Sequence, residues 1–548
     1  MKYNKKFVSI TTAIALTAVL LAGCSSNSSS SSTSASASTS ASTTASETGG
    51  DSEMFTDRDK EIGYSESEST KIELSGSSAT VSGEGATVSG STVTITTEGT
   101  YILSGTLTGQ IVVAADDAAK VQIVLNGVTI TNAGSAAIYV KSADKVFITT
   151  ASGSENTVTA TGELTATDGT TKIDAAIFSK SGLTLNGAGT LTVNAENGHG
   201  VVSKDDLAVT CGTYNITSAD HALNGKDSVR IADGTFNLTT TNGGDTIHAS
   251  NDEDTAKGFV YIEGGSFKLN SDDDGIHASG ALTICGGTID ITQSYEGIEG
   301  KNIVVSGGTI SLVSSDDGFN ASAGTSSNSQ QGGMGGGMQQ GDSSISLTIS
   351  GGTITVDAGG DGLDSNGNLT ITGGTTTVYG PTDNGNGALD SGEGCTISIT
   401  GGTLMAAGSS GMAESFDTSS TQGSILYTLT GTQAAGTQVT LKDSSGNVLA
   451  QFTPAKTFNA VNLSAAGITS SGTYTLTVGS QSYTVTMSSI SYSNKTGGMG
   501  GGKMGGQMPG GQMPQHGQQS TTNSGTTQQS GSAAVQGANT QSSAAAAA

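Results

Sequence analysis

The 548-residue chain has no tryptophan, four prolines and only 4% aromatic residues. Sites that hold sugars by ring stacking rely on aromatic faces, so a stacking site is disfavoured. Basic residues are scarce: 21 Lys and Arg face 47 Asp and Glu, for a formal net charge of -26. Phosphate binding needs a basic face, which argues against a nucleic-acid partner. Any other anionic partner would require a bridging cation. Of the four cysteines, Cys211, Cys285 and Cys395 lie in strand-like contexts. They read as small buried side chains rather than a disulfide framework. There is no nucleophile motif. Gly-rich stretches such as Gly332-Gly333-Met334-Gly335 lack the Lys-Ser/Thr ending of a phosphate loop.

What the chain has is glycine, 82 residues of it, and a repeated phrase. Asp274-Gly275-Ile276-His277 is followed by Glu296-Gly297-Ile298-Glu299, Asp317-Gly318-Phe319-Asn320 and Asp361-Gly362-Leu363-Asp364. After each come a short apolar strand and a turn such as Gly286-Gly287-Thr288 or Gly307-Gly308-Thr309. The central apolar position runs Ile138, Ile177, Val201, Leu223, Ile247, Ile276, Ile298, Phe319, Leu363, Leu389, mostly in steps of 21 to 26 residues. A fixed period of strands and turns predicts a stacked solenoid. Three strands and three turns per coil predict an all-β fold, a right-handed single-stranded parallel β-helix. About fourteen coils at a strand spacing of about 4.8 Å would make a rod roughly 65 Å long.

Residues 1–23 read as a lipoprotein signal peptide. Lys2, Lys5 and Lys6 precede the apolar stretch Phe7 to Leu21, which ends in Leu21-Ala22-Gly23-Cys24. This looks like a lipobox, with Cys24 lipidated and the protein anchored to the outer face of the cytoplasmic membrane. Residues 24–50, rich in Ser, Thr and Ala, read as a tether. An N-terminal segment, 51–90, has helical character around Thr56 to Ile62. The β-helix is assigned to 91–423, with a low-complexity insertion at 322–344. Residues 424–492 read as a small antiparallel β module covering the open strand edges, and 493–548 as a disordered tail.

Several motifs together carry a family resemblance. They are the lipoprotein start, Phe55-Thr56-Asp57-Arg58-Asp59, Gly99-Thr100-Tyr101-Ile102-Leu103-Ser104-Gly105, Leu125-Asn126-Gly127-Val128, Glu155-Asn156-Thr157, the Asp-Gly-Ile and Gly-Gly-Thr coils, Phe452-Thr453-Pro454 and Ser471-Gly472-Thr473-Tyr474. Over about residues 55 to 490 the chain closely resembles the secreted bacterial carbohydrate-binding β-helix proteins first recognised in cellulolytic clostridia. The resemblance implies a fold similar to pectate lyases. It also implies binding of calcium, polygalacturonate and cellulose without clear catalytic activity.

Two columns flank the apolar position. Two residues before it stand His199, His221, Asp245, Asp274, Glu296, Asp317 and Asp361. One residue after it stand Tyr139, Phe178, Val202, Asn224, His248, His277, Glu299, Asn320, Asp364 and Asp390. Asp272, Asp273 and Asp316 add further carboxylates. Carboxylates stacked about 4.8 Å apart repel by roughly 1 kcal/mol per pair in water and about 3.5 kcal/mol at an effective dielectric of 20. Calcium, with Ca–O bonds of about 2.4 Å, can bridge neighbouring rungs, and magnesium fits less well. The competing reading is a solvated acidic turn, since Asp-Gly is ordinary turn chemistry. A lysine column, Lys141, Lys180, Lys204, Lys226 and Lys301, reads as salt-bridged surface or as a contact to uronate carboxylates. Lys204, Lys226 and Lys301 are the ligand-binding candidates, and Lys301 is the one placed to act as a base. The histidines fall in two separate columns, which favours turn or surface histidines over a closed zinc site.

The expectation is a monomeric, lipid-anchored, calcium-dependent binding protein for acidic plant polysaccharide. The alternatives are a calcium-dependent lyase acting by β-elimination and a structural surface adhesin.

Overall fold

The computed structural model describes residues 54–323 and 340–495, all within one compact unit. Cys24, the signal peptide and tether, most of the insertion and nearly all of the tail lie outside the described residues. Among those described, the chain is almost entirely β. Its one α-helix is Asp57–Lys60, and no helix is long and apolar enough to cross a membrane.

Three parallel ladders account for most of the large sheet. In the first, Thr190–Ala195, Thr213–Ser218, Thr235–Thr240, Ser266–Asn270, Thr288–Gln293, Thr309–Ser314, Thr353–Ala358, Thr375–Tyr379 and Thr403–Gly408 pair in sequence, each parallel to the next. In the third, Leu183, Leu207, Val229, Val260, Leu282, Ile303, Leu347, Leu369 and Ile397 stand in register. The second lies between these two along the chain. Its register is Ile138, Ile177, Val201, Leu223, Ile247, Ile276, Ile298, Phe319 and Leu363, with Leu389 bridged to Leu363. This is the apolar column read from the sequence. Alternation places every second residue inside, where these side chains are essentially fully buried. Each such Val, Leu or Ile contributes about 1.5–3 kcal/mol by burial. Aromatic rungs in the first ladder stack as well: Tyr214, Phe236 and Phe267 lie with successive ring centroids 5.3 and 4.6 Å apart.

The Gly-Gly-Thr turns have two separate requirements. The second glycine takes a positive φ, +90° at Gly308, where a side chain would be strained. The first lies against the preceding coil: a Cβ on Gly286 would sit 2.6 Å from the Glu263 carbonyl oxygen.

The sheet starts at Thr70–Gly76, which pairs parallel with Gly99–Thr108, inside the segment set apart on sequence as 51–90. Ahead of it, Asp57–Lys60 is fixed to the flank of the ladders. Thr56 and Asp59 form a capping box, and the buried Asp59 carboxylate takes Lys145 Nζ at 2.6 Å and Thr184 Oγ1 at 2.5 Å. At the other end, Phe458–Ser464 pairs antiparallel with both Thr403–Gly408 and Ser424–Gln433. A separate antiparallel sheet joins Val448–Phe452, Val439–Lys442, Thr473–Val478 and Gln481–Thr486. The three cysteines described are free and half-buried rather than buried.

Candidate metal centre

The second ladder is short, so the residue two positions before the buried apolar one lies in the bend that enters the strand. The residue one position after it points outward from the strand. These two side chains, three residues apart, meet over the same outer face. His248 Nδ1 lies 2.6 Å from Asp245 Oδ2, and His277 Nδ1 lies 3.3 Å from Asp274 Oδ2. The two columns therefore form one row. This corrects the separation of the histidines: His199, His221, His248 and His277 stack as parallel rings, with successive centroids 5.0, 3.9 and 5.0 Å apart.

Within the row, one oxygen of each aspartate in the bend has a structural task. Asp245 Oδ1 accepts from the Asp274 backbone N–H (2.9 Å), and Asp274 Oδ1 accepts from that of Glu296 (3.1 Å). Asp317 Oδ1 accepts from Asp361 N–H (2.6 Å), and Asp361 Oδ1 from Gly387 N–H (2.5 Å). These aspartates thus tie their own bends to the next, a use of the acids in the fold that the sequence reading did not foresee. The glycine beside them is there for space: a Cβ on Gly275 would lie 2.5 Å from the Gly297 carbonyl oxygen and 2.7 Å from Ile291. Asp245 and Asp274 are buried in this bend rather than solvated.

The row has two chemically different ends. At the first, carboxylates alternate with imidazoles. His277 sits 2.6 Å from Glu299 Oε2. Burial opposes its charge, but Asp274 and Glu299 outweigh that and hold its pKa well above the usual range. His221 goes the other way, lowered to about 2 by burial and then by His248. Asp273 joins Asp245 and Asp274 in one group of ligand atoms within 4.8 Å of one another.

The second end is oxygen only: Glu296, Asp317, Asn320, Asp361, Asp364 and Asp390. Asp361, Asp364 and Asp390 bring ligand oxygens within 4.8 Å of one another. Burial, then Glu299 and Asp274, push Glu296 up to about 9. Burial, with neighbouring carboxylates behind it, raises Asp361 to about 7, Asp317 to about 6 and Asp364 well above its ordinary value. Burial also raises Asp390. Asn320 donates to Glu296 Oε2 at 2.8 Å, yet its own Oδ1 is buried without a hydrogen-bond partner. A buried carbonyl oxygen with no donor, beside crowded carboxylates, fits a hard cation. Among the described residues, the row carboxylates form ion pairs with histidines and with no lysine or arginine.

Other residues singled out on sequence lie elsewhere. Asp272 Oδ2 accepts from the Gly243 N–H at 2.7 Å. Asp316 bonds the Tyr295 phenol and pushes it up to about 12. Lys226 is held by Glu253 at 2.6 Å, and Lys204 Nζ stands 5.5 Å from the centre of the Phe178 ring. Lys301 acts on Asp342, which is held low first by Ser344 hydrogen bonds and then by this lysine. Glu414 was missed. It extends the acidic end past Asp390, raised to about 7 by burial and then by Asp390, and bonds Ser391 at 3.2 Å. It follows the last repeat, so no period marks it.

Residues 89–335 match the model of a family described as carbohydrate-binding domain-containing protein. A protein of that description from Acetivibrio thermocellus is 41% identical over 192 residues, 35% of this chain and 66% of the relative. The match thus spans just under two thirds of that relative's length. A solved structure of a polysaccharide lyase-like protein from C. thermocellum, a gadolinium derivative, is 34% identical. It is matched over 44% of this chain and 92% of its own, at a TM-score of 0.37, too low to equate the folds. In its central part this chain is therefore similar to a carbohydrate-binding family.

Proposed function

We propose that the chain is a calcium-dependent binding protein for acidic polysaccharide such as polygalacturonate, lipid-anchored through Cys24. We further propose that its parallel ladders wind as a right-handed β-helix. The observation that carries the reading is the oxygen-only end of the row, with the orphan Asn320 Oδ1 among acids that burial and mutual repulsion drive toward protonation. Glu296, Asp317, Asn320, Asp361, Asp364 and Asp390 would hold calcium, which supplies charge neutralisation and open coordination positions for uronate carboxylates. With a net charge of -26, the chain would otherwise repel such a polymer. The match to a carbohydrate-binding family over residues 89–335 supports a sugar ligand.

Calorimetry on metal-free protein should show calcium heat. Polygalacturonate retention should be lost in chelator and restored by calcium. Glu296→Gln, which keeps the shape of the protonated acid, should fold normally and lose most of the calcium heat. Retention unchanged by chelator, with no calcium heat at millimolar ion, would overturn the proposal.

A further inference from the structure

The stacked histidines are not accounted for by an oxygen-only calcium row. We propose that His221, Asp245 and His248 bind a divalent transition-metal ion of the zinc and copper class, at a site separate from the calcium end. Asp245 Oδ2 lies 3.4 Å from His221 Nδ1 and 2.6 Å from His248 Nδ1. One ligand atom from each of the three residues falls within 4.8 Å of the others. The two rings lie face to face, 3.9 Å between centroids and 10° between planes, so both can turn an edge to one point. Imidazole nitrogen is a ligand for zinc, copper and nickel, whereas calcium takes oxygen. Two imidazoles and a carboxylate form a three-ligand set with a fourth position open.

The protons are already arranged for this at His221. The Asp245 backbone N–H donates to His221 Nδ1 at 2.9 Å, so that nitrogen is unprotonated and its lone pair is held by this bond, with Asp245 Oδ2 3.4 Å away. The ring proton is then on Nε2, 3.6 Å from Asp220 Oδ1. Metal-bound histidines use this arrangement, one nitrogen on the ion and the other N–H toward a carboxylate. Asp220 reaches the next ring too, with Oδ2 3.5 Å from His199 Nε2, and His199 Nδ1 is buried with no partner of its own. At His248 a proton occupies the short contact to Asp245. The ion replaces that proton, and the neutral ring carries its hydrogen on Nε2 instead. At His221 the ion exchanges one backbone hydrogen bond for a coordinate bond.

The test is zinc calorimetry on the untagged, metal-free full-length protein in excess calcium. Zinc should bind despite the calcium, and His221→Gln and His248→Gln should each weaken it by about tenfold or more. Asp364→Asn, at the oxygen-only end, should leave zinc affinity within about twofold, which separates this proposal from the calcium reading. Copper bound to the wild type should show nitrogen hyperfine structure by electron paramagnetic resonance, and the double histidine variant should lose it. No zinc heat up to millimolar ion, or an unchanged affinity in the double variant, would overturn the proposal. If the variants do not fold by circular dichroism, diethyl pyrocarbonate labelling of the native protein decides. Zinc should protect His221 and His248, and equal labelling with and without zinc counts against the site.

Discussion

Asp59 shows how much one side chain can fix. It is buried, caps a helix of only four residues, and takes both Lys145 and Thr184. Burial alone would raise its pKa, but the Lys145 and Thr184 bonds outweigh it and bring the carboxyl from 3.8 to about 2. A carboxyl depressed in the folded state contributes stability above its unfolded pKa and loses it as pH falls through the folded one. That contribution is therefore full above about pH 5 and is lost progressively toward about pH 1, an effect of about 2 kcal/mol. Asp59→Asn should cost roughly 3 kcal/mol at neutral pH, because it leaves Lys145 without its acid. Urea unfolding across pH 2–7 checks both, and the variant should show the smaller loss between pH 4 and 2. Little of this was legible in the sequence. Helical character was visible from Thr56 to Ile62, but the partners of Asp59 are far along the chain. Asn320 was equally opaque: its place in the column could be read, but not that its Oδ1 is left without a donor.

At the scale of the strand and turn, the sequence was far more transparent. Identical positions recur each coil, so the apolar column could be written down before any coordinates and it matches the register of the second ladder. The period could not show that side chains on either side of a buried residue converge, because that depends on a bend just before a three-residue strand. Hence the histidines were split between columns that the fold merges. Glycine was legible as a turn former but not as a spacer. Both roles meet at Gly308, where φ is +90° and a Cβ would lie 2.9 Å from the Gly287 carbonyl oxygen. Gly308→Ala should therefore destabilise by about 1–3 kcal/mol. Differential scanning calorimetry should show a lower midpoint with the folded circular dichroism spectrum retained.

For the whole molecule, the edge of the last coil is covered rather than exposed. Thr403–Gly408 pairs with Thr375–Tyr379 on one side and with Phe458–Ser464 on the other. Without the C-terminal module that second side would offer unpaired N–H and C=O groups to another copy. A chain ending at residue 423 should self-associate in sedimentation velocity while the full chain remains monomeric. A monomeric truncation would show that the module has another purpose. Attachment is tested at the other terminus. Cys24→Ser should move the protein from the membrane fraction to the medium or leave it unprocessed, and unchanged fractionation would remove the lipid anchor from the proposal.

The step from Phe319 to Leu363 is much longer than its neighbours, yet the two residues stand in direct register, and so do Asn302 and Ser346. The stack therefore tolerates extra chain between Ala321 and Ser346 without a shift in the rungs on either side. For protein engineering this is a splice point with a fixed address. A fluorophore or small reporter domain placed between Ser322 and Ser344 would emerge two residues from Asn320, beside the oxygen-only end of the row. Such a fusion would turn cation occupancy into an optical signal, with the scaffold serving as its own ruler.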